Sequence, residues 1–251
     1  MLFRSLPIWE KGYRTFNTGV SYTIWGYWAW ALDNIIGLRI RYVGDTLPSP
    51  ESSIVIGNHQ GFMDIMAMLC FGFKNHVVQY MKWMIKNEFK YIPAIGWGTL
   101  FVDSVFLKRN WSQDRSTILR TFARYKQNPD PIWLVLLPEG TRMTPAKLQR
   151  SQKFAAKYGH PIPLRVLTPR TKGFCAAVTG LGARMDSVVS VTIDYGKRAP
   201  SIMEFMRGDC PEIAMMIKRT PISELPRDEK GLEEWLRKDF QERDLLLQKG
   251  F

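Results

Sequence analysis

Apolar and polar positions along the chain predict strands that alternate with helices. Short, unbroken apolar runs such as Ile54-Val55-Ile56 are typical of buried strands, while longer stretches repeat apolar positions at helical spacing. The predicted strands are residues 54–56, 77–83, 105–107, 132–137, 188–193 and 212–218. The predicted helices are residues 62–73, 111–126, 145–158, 173–181 and 232–247. This alternation indicates an α/β fold with a mostly parallel or mixed sheet flanked by helices.

The N-terminal region has a different pattern, because residues 19–37 are very aromatic. Asp33 and Asn34 interrupt the apolar run, which leaves it shorter than the roughly 20 residues of a spanning helix. Tryptophan and tyrosine favour the headgroup boundary of a bilayer, and basic residues flank the stretch on both sides. We therefore expect a helix that lies on the membrane surface, with packing against the protein core or a partner, or a membrane span, as the alternatives.

A Pro- and Ser-rich segment at residues 47–53 predicts the boundary between two regions. Residues 1–45 are the expected membrane-associating helical segment, and residues 46–251 are the expected catalytic domain. We expect no cleavable signal peptide, because the first residues lack an apolar run that ends at a small-residue cleavage site.

The charge of the chain limits the classes of binding partner but does not select one of them. The net charge of +12 fits nucleic acid, an anionic membrane or a phosphorylated substrate. No recognised nucleic-acid motif accompanies the charge, so that class is the weakest of the three. Cys70, Cys175 and Cys210 are widely spaced and odd in number, which argues against a disulfide framework or a zinc site. We expect no metal.

Chemically reactive side chains follow the predicted strands directly. His59 and Asp64 come after residues 54–56, Lys108 and Arg109 after residues 105–107, and Glu139 after residues 132–137. Parallel strands gather their carboxyl ends at one edge of a sheet, where ligands bind. On a regular helix His59 and Asp64 would diverge by roughly 140°. They can pair only if His59 lies in the turn before the helix and Asp64 lies in its first turns.

Four ordered blocks resemble the glycerolipid acyltransferases, the family of 1-acylglycerol-3-phosphate and other lysophospholipid acyltransferases. The first is Asn58-His59 with Asp64, and the second is residues 105–109 followed by Trp111 and Asp114. The third is residues 138–142 (Pro-Glu-Gly-Thr-Arg), and the fourth is residues 166–174. The resemblance covers roughly residues 40–225.

The resemblance implies that His59, oriented by Asp64, acts as general base on the hydroxyl of a lysophospholipid. That hydroxyl attacks an acyl thioester directly, with acyl-CoA or acyl-carrier protein as co-substrate and no bound cofactor. The residues implied to bind or shape the substrate pocket are Asn58, Lys108, Arg109, Glu139, Gly140, Thr141, Arg142, Pro169 and Arg170.

The implied reaction is acylation of the sn-2 hydroxyl of lysophosphatidic acid to phosphatidic acid. Another lysophospholipid acceptor, such as lysophosphatidylglycerol or lysophosphatidylinositol, and a non-catalytic lipid-binding protein of the same fold are the alternatives. The expected location is a membrane surface on the cytosolic side, such as the cytoplasmic face of an inner membrane.

Overall fold

The computed structural model describes residues 7–92, 95–108, 110–209 and 212–251. The strands are β1 (Ile40–Gly44), β2 (Ser53–Gly57), β3 (Met81–Lys86), β4 (Val105–Leu107), β5 (Trp133–Leu136), β6 (Ser187–Asp194) and β7 (Ile213–Pro221). The helices are α1 (Pro7–Asn34), α2 (Met63–Lys74), α3 (Ile95–Phe101), α4 (Trp111–Gln127), α5 (Pro145–Lys157), α6 (Thr171–Leu181), α7 (Ile202–Met206) and α8 (Glu229–Lys249). Short 3-10 helices cover Val78–Tyr80, Asn87–Tyr91, Gly182–Arg184 and Ile222–Glu224. The predicted α/β class is confirmed.

The seven strands form one mixed sheet in the order β1-β7-β6-β2-β5-β3-β4. Strand β2 lies between β5 and β6 and pairs in parallel with both. The antiparallel pairing of β6 with β7 makes the sheet mixed. Because β2, β5 and β6 point the same way, the segments that follow them emerge at one edge of the sheet.

Alternating side chains of the central strand enter two separate cores. Val55 belongs to the core beneath α1 and α2, whereas Ile54 and Ile56 belong to the core beneath α4, α6 and α8. Strand β2 is buried along its whole length. Burial on both faces explains its unbroken apolar run, because parallel strands covered by helices need no polar side.

Helix α1 covers most of the aromatic N-terminal stretch and begins earlier than residue 19. Trp25, Ala29 and Leu32 are buried against the α2 side of the sheet. None of the helices in the described parts of the chain combines the length and hydropathy needed to cross a bilayer. Residues 40–44, before the expected boundary, form edge strand β1. The domain division and the membrane role of residues 1–45 stay predictions.

The predicted strand at residues 77–83 is only partly correct. Val77 and Val78 precede the strand, and the latter begins a 3-10 helix. Both valines are fully buried in the core shared with α1 and α2. Their apolar character therefore reflects burial under a helix, and the strand itself begins at Met81, where pairing with β5 starts.

Helix α8 fixes the loop at residues 164–166 through one of its carboxylates. The Asp244 carboxylate accepts hydrogen bonds from the backbone N–H groups of Leu164, Arg165 and Val166. One buried carboxylate thus satisfies three consecutive donors of a segment without regular structure. The C-terminal helix thereby holds the start of the loop that leads to Leu167.

Candidate active site

The turn between β2 and α2 brings His59 and Asp64 together. Asp64 lies in the first turn of α2, and its Oδ2 atom accepts the backbone N–H groups of Gln60 and Gly61 at 2.7 and 2.8 Å. His59 Nδ1 lies 2.8 Å from the same oxygen. The pairing therefore has the arrangement expected from the sequence, with the histidine before the helix and the aspartate inside it.

Tyr195 completes the surroundings of the Asp64 carboxylate. This residue follows β6 directly, and its hydroxyl donates to Asp64 Oδ1 at 2.7 Å. Asp64 is fully buried. With Asp64 as a carboxylate, its oxygens only accept, so Nδ1 of His59 carries the proton and Nε2 is left free to accept another.

Glu139 holds the same histidine through its backbone. One carboxyl oxygen accepts the N–H of His59 at 2.8 Å, and the other accepts the N–H of Leu167 at 3.1 Å. Burial raises the pKa of Glu139 to about 8, against the opposing effect of these two hydrogen bonds. Glu139 therefore joins the segments after β2 and β5 to the loop held by Asp244.

The third and fourth sequence blocks meet beside Glu139. Gly140 has φ of +68°, and a Cβ atom there would lie 3.2 Å from Cδ of Arg170. The backbone N–H of Arg170 donates to Pro138 O at 2.8 Å. Lys147 Nζ donates to Thr141 Oγ1 at 2.6 Å. A side chain at Gly140 would thus press on Arg170 from a strained backbone conformation.

A cavity of about 1000 Å³ opens beside His59. Its lining from α1, α2 and β3 is largely apolar, and its lining from α5, α6, α8 and the loop after Leu167 carries cations. The apolar group includes Trp25, Ile65, Met66, Leu69, Trp83 and Met84. The cations on the second side are Lys147, Arg150, Arg170, Lys172 and Arg237. Lys86, at the end of β3, also lines the cavity and forms an ion pair with Glu88. A ligand with an apolar chain and an anionic head matches this division.

The predicted site residues occupy different positions around this cavity. Those that line it are His59, Glu139, Gly140, Thr141, Pro169 and Arg170. The Asn58 side chain is buried and is not part of this lining; its amide donates to the backbone C=O of Ile193 and accepts the N–H of the same residue. Lys108 and Arg142 are exposed and do not line the cavity. Arg109 lies outside the described residues.

Sequence reasoning missed Tyr195 and the cations of α5 and α8 as site residues. Tyr195 carried a usable signal, since it follows the predicted strand at residues 188–193 and so emerges at the same sheet edge as His59. Lys147, Arg150 and Arg237 had no such signal. They sit among many charged residues on amphipathic helices, which usually present such side chains to water.

The raised pKa of Glu139 generates a test of folding stability. An acid whose folded-state pKa lies above its unfolded value contributes stability at low pH that is lost as pH rises towards the folded value. Relative to Glu139→Gln, we expect the wild-type free energy of unfolding to fall by up to about 1.4 kcal/mol per pH unit between roughly pH 5 and 8. Urea unfolding at several pH values measures this difference. A difference independent of pH would contradict the raised pKa.

Known proteins share both the sequence and the fold of this chain. A family model described as acyltransferase matches residues 39–193, and one described as acyltransferase C-terminus matches residues 204–249. The solved 1-acyl-sn-glycerophosphate (LPA) acyltransferase PlsC of Thermotoga maritima superposes with a TM-score of 0.61 at 16% sequence identity. That alignment covers 96% of this chain and 90% of the bacterial one, so the two proteins share a fold.

Curated relatives are similar at the level of sequence. A probable 1-acyl-sn-glycerol-3-phosphate acyltransferase 5 of Arabidopsis thaliana is 33% identical over 88% of this chain and 59% of its own length. The human 1-acyl-sn-glycerol-3-phosphate acyltransferase gamma is 32% identical over 96% of this chain and 65% of its own length. This chain therefore spans about three fifths of the length of the curated relatives that it matches. Because the first family model covers more than half of the sequence, the chain belongs to the acyltransferase family.

Proposed function

We propose that the protein transfers a fatty acyl chain from an acyl thioester to the sn-2 hydroxyl of lysophosphatidic acid. One observation carries the proposal: His59, backed by Asp64, lies in the wall of a cavity that is apolar on one side and cationic on the other. Both substrates are amphiphiles with anionic heads, which fits that division. The relatives named as 1-acyl-sn-glycerol-3-phosphate acyltransferases support the choice of acceptor.

In the proposed mechanism His59 is the general base. Its Nε2 removes the proton of the acceptor hydroxyl while the oxygen attacks the thioester carbonyl. Asp64 stabilises the imidazolium that forms, and Tyr195 and two backbone N–H groups hold Asp64 in place. The carbon–sulfur bond then breaks, and the imidazolium returns its proton to the leaving thiolate. The products are phosphatidic acid and the free thiol of the donor.

We assign the acceptor phosphate to the cationic side of the cavity. Arg170 and Lys172 line that side, and none of the ion pairs among the described residues includes either of them. A guanidinium offers two parallel donors to a phosphate group. Arg142, Lys108 and Arg109, which the family resemblance implies in this role, remain candidates for the same group. Acyl-CoA is the proposed donor, with acyl-carrier protein as the alternative.

We also propose that α1 and α3 place the protein on a membrane surface at the cytosolic side. Large apolar side chains are exposed on both helices, among them Phe16, Tyr27, Trp28, Trp97 and Phe101. The two helices are in contact, since the Asn17 side chain donates to Phe101 O, and exposed aromatic rings favour the bilayer interface. Trp25 of the same helix lines the cavity, so a bilayer under α1 would lie close to the apolar side of the site.

Thiol release from a long-chain acyl-CoA tests the proposed function. In lipid micelles, release by the wild type is expected to require lysophosphatidic acid. His59→Ala is expected to reduce the acceptor-dependent rate by about 10²- to 10⁴-fold, the usual contribution of a general base. His76→Asn is the control, because His76 is exposed with φ of 57°, a conformation that asparagine tolerates.

Transfer that survives in His59→Ala would contradict the base assignment. Equal rates on a panel of lysolipids with different headgroups would contradict the choice of lysophosphatidic acid while leaving acyl transfer intact. If no thiol is released with any lysolipid and either donor, acyl transfer is contradicted, and the result favours a lipid-binding protein of the same fold without activity.

Tyr195→Phe tests whether the buried carboxylate needs its side-chain donor. The variant removes one hydrogen bond to Asp64 Oδ1 and leaves the cavity lining unchanged. We expect kcat to fall by about tenfold, in line with the strength of a hydrogen bond to a charged group, with little change in either KM. Steady-state kinetics measures both parameters, with the exposed Tyr91→Phe as control. An unchanged kcat would mean that Tyr195 does not support the pair.

A further inference from the structure

Positive charge is concentrated in one part of the chain beside the site. Between Gly140 and Met185 the sequence has nine Lys or Arg residues and no Asp or Glu. Four of the nine lie on α5, namely Lys147, Arg150, Lys153 and Lys157. No ion pair among the described residues includes any of the four. This helix is therefore cationic without a carboxylate to neutralise it.

Helix α5 is also open to solvent along most of its surface. Of its 13 residues only Ala155 is buried. Four residues of this helix line the cavity beside His59: Lys147, Arg150, Ser151 and Phe154. Residues three or four positions apart are neighbours on a helix surface, so these four side chains share one face. One face of α5 is thus continuous with the site.

Three aromatic rings extend this face beyond the end of the helix. The ring centroids of Phe154 and Tyr158 are 4.6 Å apart, and those of Tyr158 and His160 are 6.4 Å apart with nearly parallel planes. Phe154 is 48% exposed and Tyr158 is 55% exposed, so both rings have surface free for a ligand. Lys157 Nζ lies 5.4 Å from the centre of the Tyr158 ring.

We propose that this face of α5 binds the nucleotide part of coenzyme A, a 3′-phosphorylated adenosine diphosphate. The adenine stacks on Phe154 and Tyr158, since purines stack on exposed aromatic rings whose neighbours are cations. Arg150, Lys153 and Lys157 bind the phosphate groups. The pantetheine arm then runs past Lys147 and Ser151 towards His59. The inference rests on the proposed function and specifies CoA as the thioester donor.

Charge and ring chemistry favour this nucleotide over three other occupants that a basic helix attracts: lysophosphatidic acid, a carrier protein and a bilayer. Lysophosphatidic acid carries one phosphate group, which Arg170 and Lys172 can already bind. A carrier protein and a bilayer present phosphate without a purine, so neither gives the rings of Phe154 and Tyr158 a stacking partner. Continuity with the cavity further favours a ligand whose far end reaches the reacting thioester.

Two thioester donors with the same acyl chain, one with the nucleotide and one without it, distinguish a loss of nucleotide binding from a loss of catalysis. The double variant Lys157→Gln/Tyr158→Ala, at two positions outside the cavity lining, is compared with the wild type on acyl-CoA and on acyl-pantetheine, which lacks the nucleotide, in detergent micelles. We expect KM for acyl-CoA to rise by about tenfold, with kcat and both parameters for acyl-pantetheine within about twofold of wild type. Leu119→Ala/Arg120→Gln, an exposed pair on α4, is the matched control and is expected to behave as wild type.

Equal losses on both donors, or no loss on either, would overturn the inference. A variant that loses only its binding to anionic vesicles, with KM in micelles unchanged, would assign the face to a membrane instead. A wild type that uses acyl-carrier protein and not acyl-CoA would overturn the inference and leave acyl transfer standing.

Calorimetry with 3′-phosphoadenosine 5′-diphosphate gives a readout that needs no catalysis. The wild type is expected to bind this nucleotide in the absence of lipid, and the double variant is expected to bind it at least about tenfold more weakly. If the wild type releases no thiol at all, the proposed function fails, and calorimetry still decides the nucleotide site. If the wild type transfers acyl groups but binds no nucleotide, only this inference fails.

Discussion

His59 is held at two points by two buried carboxyl groups, and the geometry of the site depends on both. Asp64 fixes the imidazole ring through Nδ1, and Glu139 fixes the backbone through the N–H of the same residue. The two acids come from different segments, one from the start of α2 and one from the end of β5. The general-base role that we propose for His59 requires positioning to within about 0.5 Å, and two independent attachments restrict both the ring and the backbone that carries it.

Burial of these two acids costs free energy of desolvation, and hydrogen-bond donors around each carboxyl group offset that cost. Asp64 accepts two backbone N–H groups and the Tyr195 hydroxyl, in addition to the imidazole. Among the described residues Glu139 accepts two backbone N–H groups, and desolvation by burial raises its pKa to about 8 in spite of them. Arg243 on α8 lies close enough to oppose the rise, and it is itself buried and bonded to Asp239, Ser190 and Val191 O. The C-terminal helix therefore contributes to the electrostatics of a site that it borders only at Arg237.

Much of the fold was predictable from the sequence, because the central strands are buried on both faces and read as unbroken apolar runs. The sequence also predicted the condition under which His59 and Asp64 could pair, with the histidine before the helix and the aspartate in its first turns, and the structure has this arrangement. Strand β1 and helix α3 were missed, because each is short and half exposed and neither has a clear apolar period. The orientation of the Asn58 amide was not predictable, because an amide beside a reactive histidine looks the same in sequence whether it faces a ligand or a neighbouring backbone. The cations of α5 became visible only once the fold placed that helix against the cavity.

An NMR measurement of the His59 tautomer tests whether this residue can act as the proposed general base. The chain has three histidines, so imidazole resonances of isotopically labelled protein can be assigned with one variant for each. The account predicts that neutral His59 carries its proton on Nδ1, with slow exchange because the proton is shared with buried Asp64, and that Nε2 is unprotonated and faces the cavity. A neutral His59 protonated at Nε2 would contradict the account, because the nitrogen that should accept the hydroxyl proton would already be occupied.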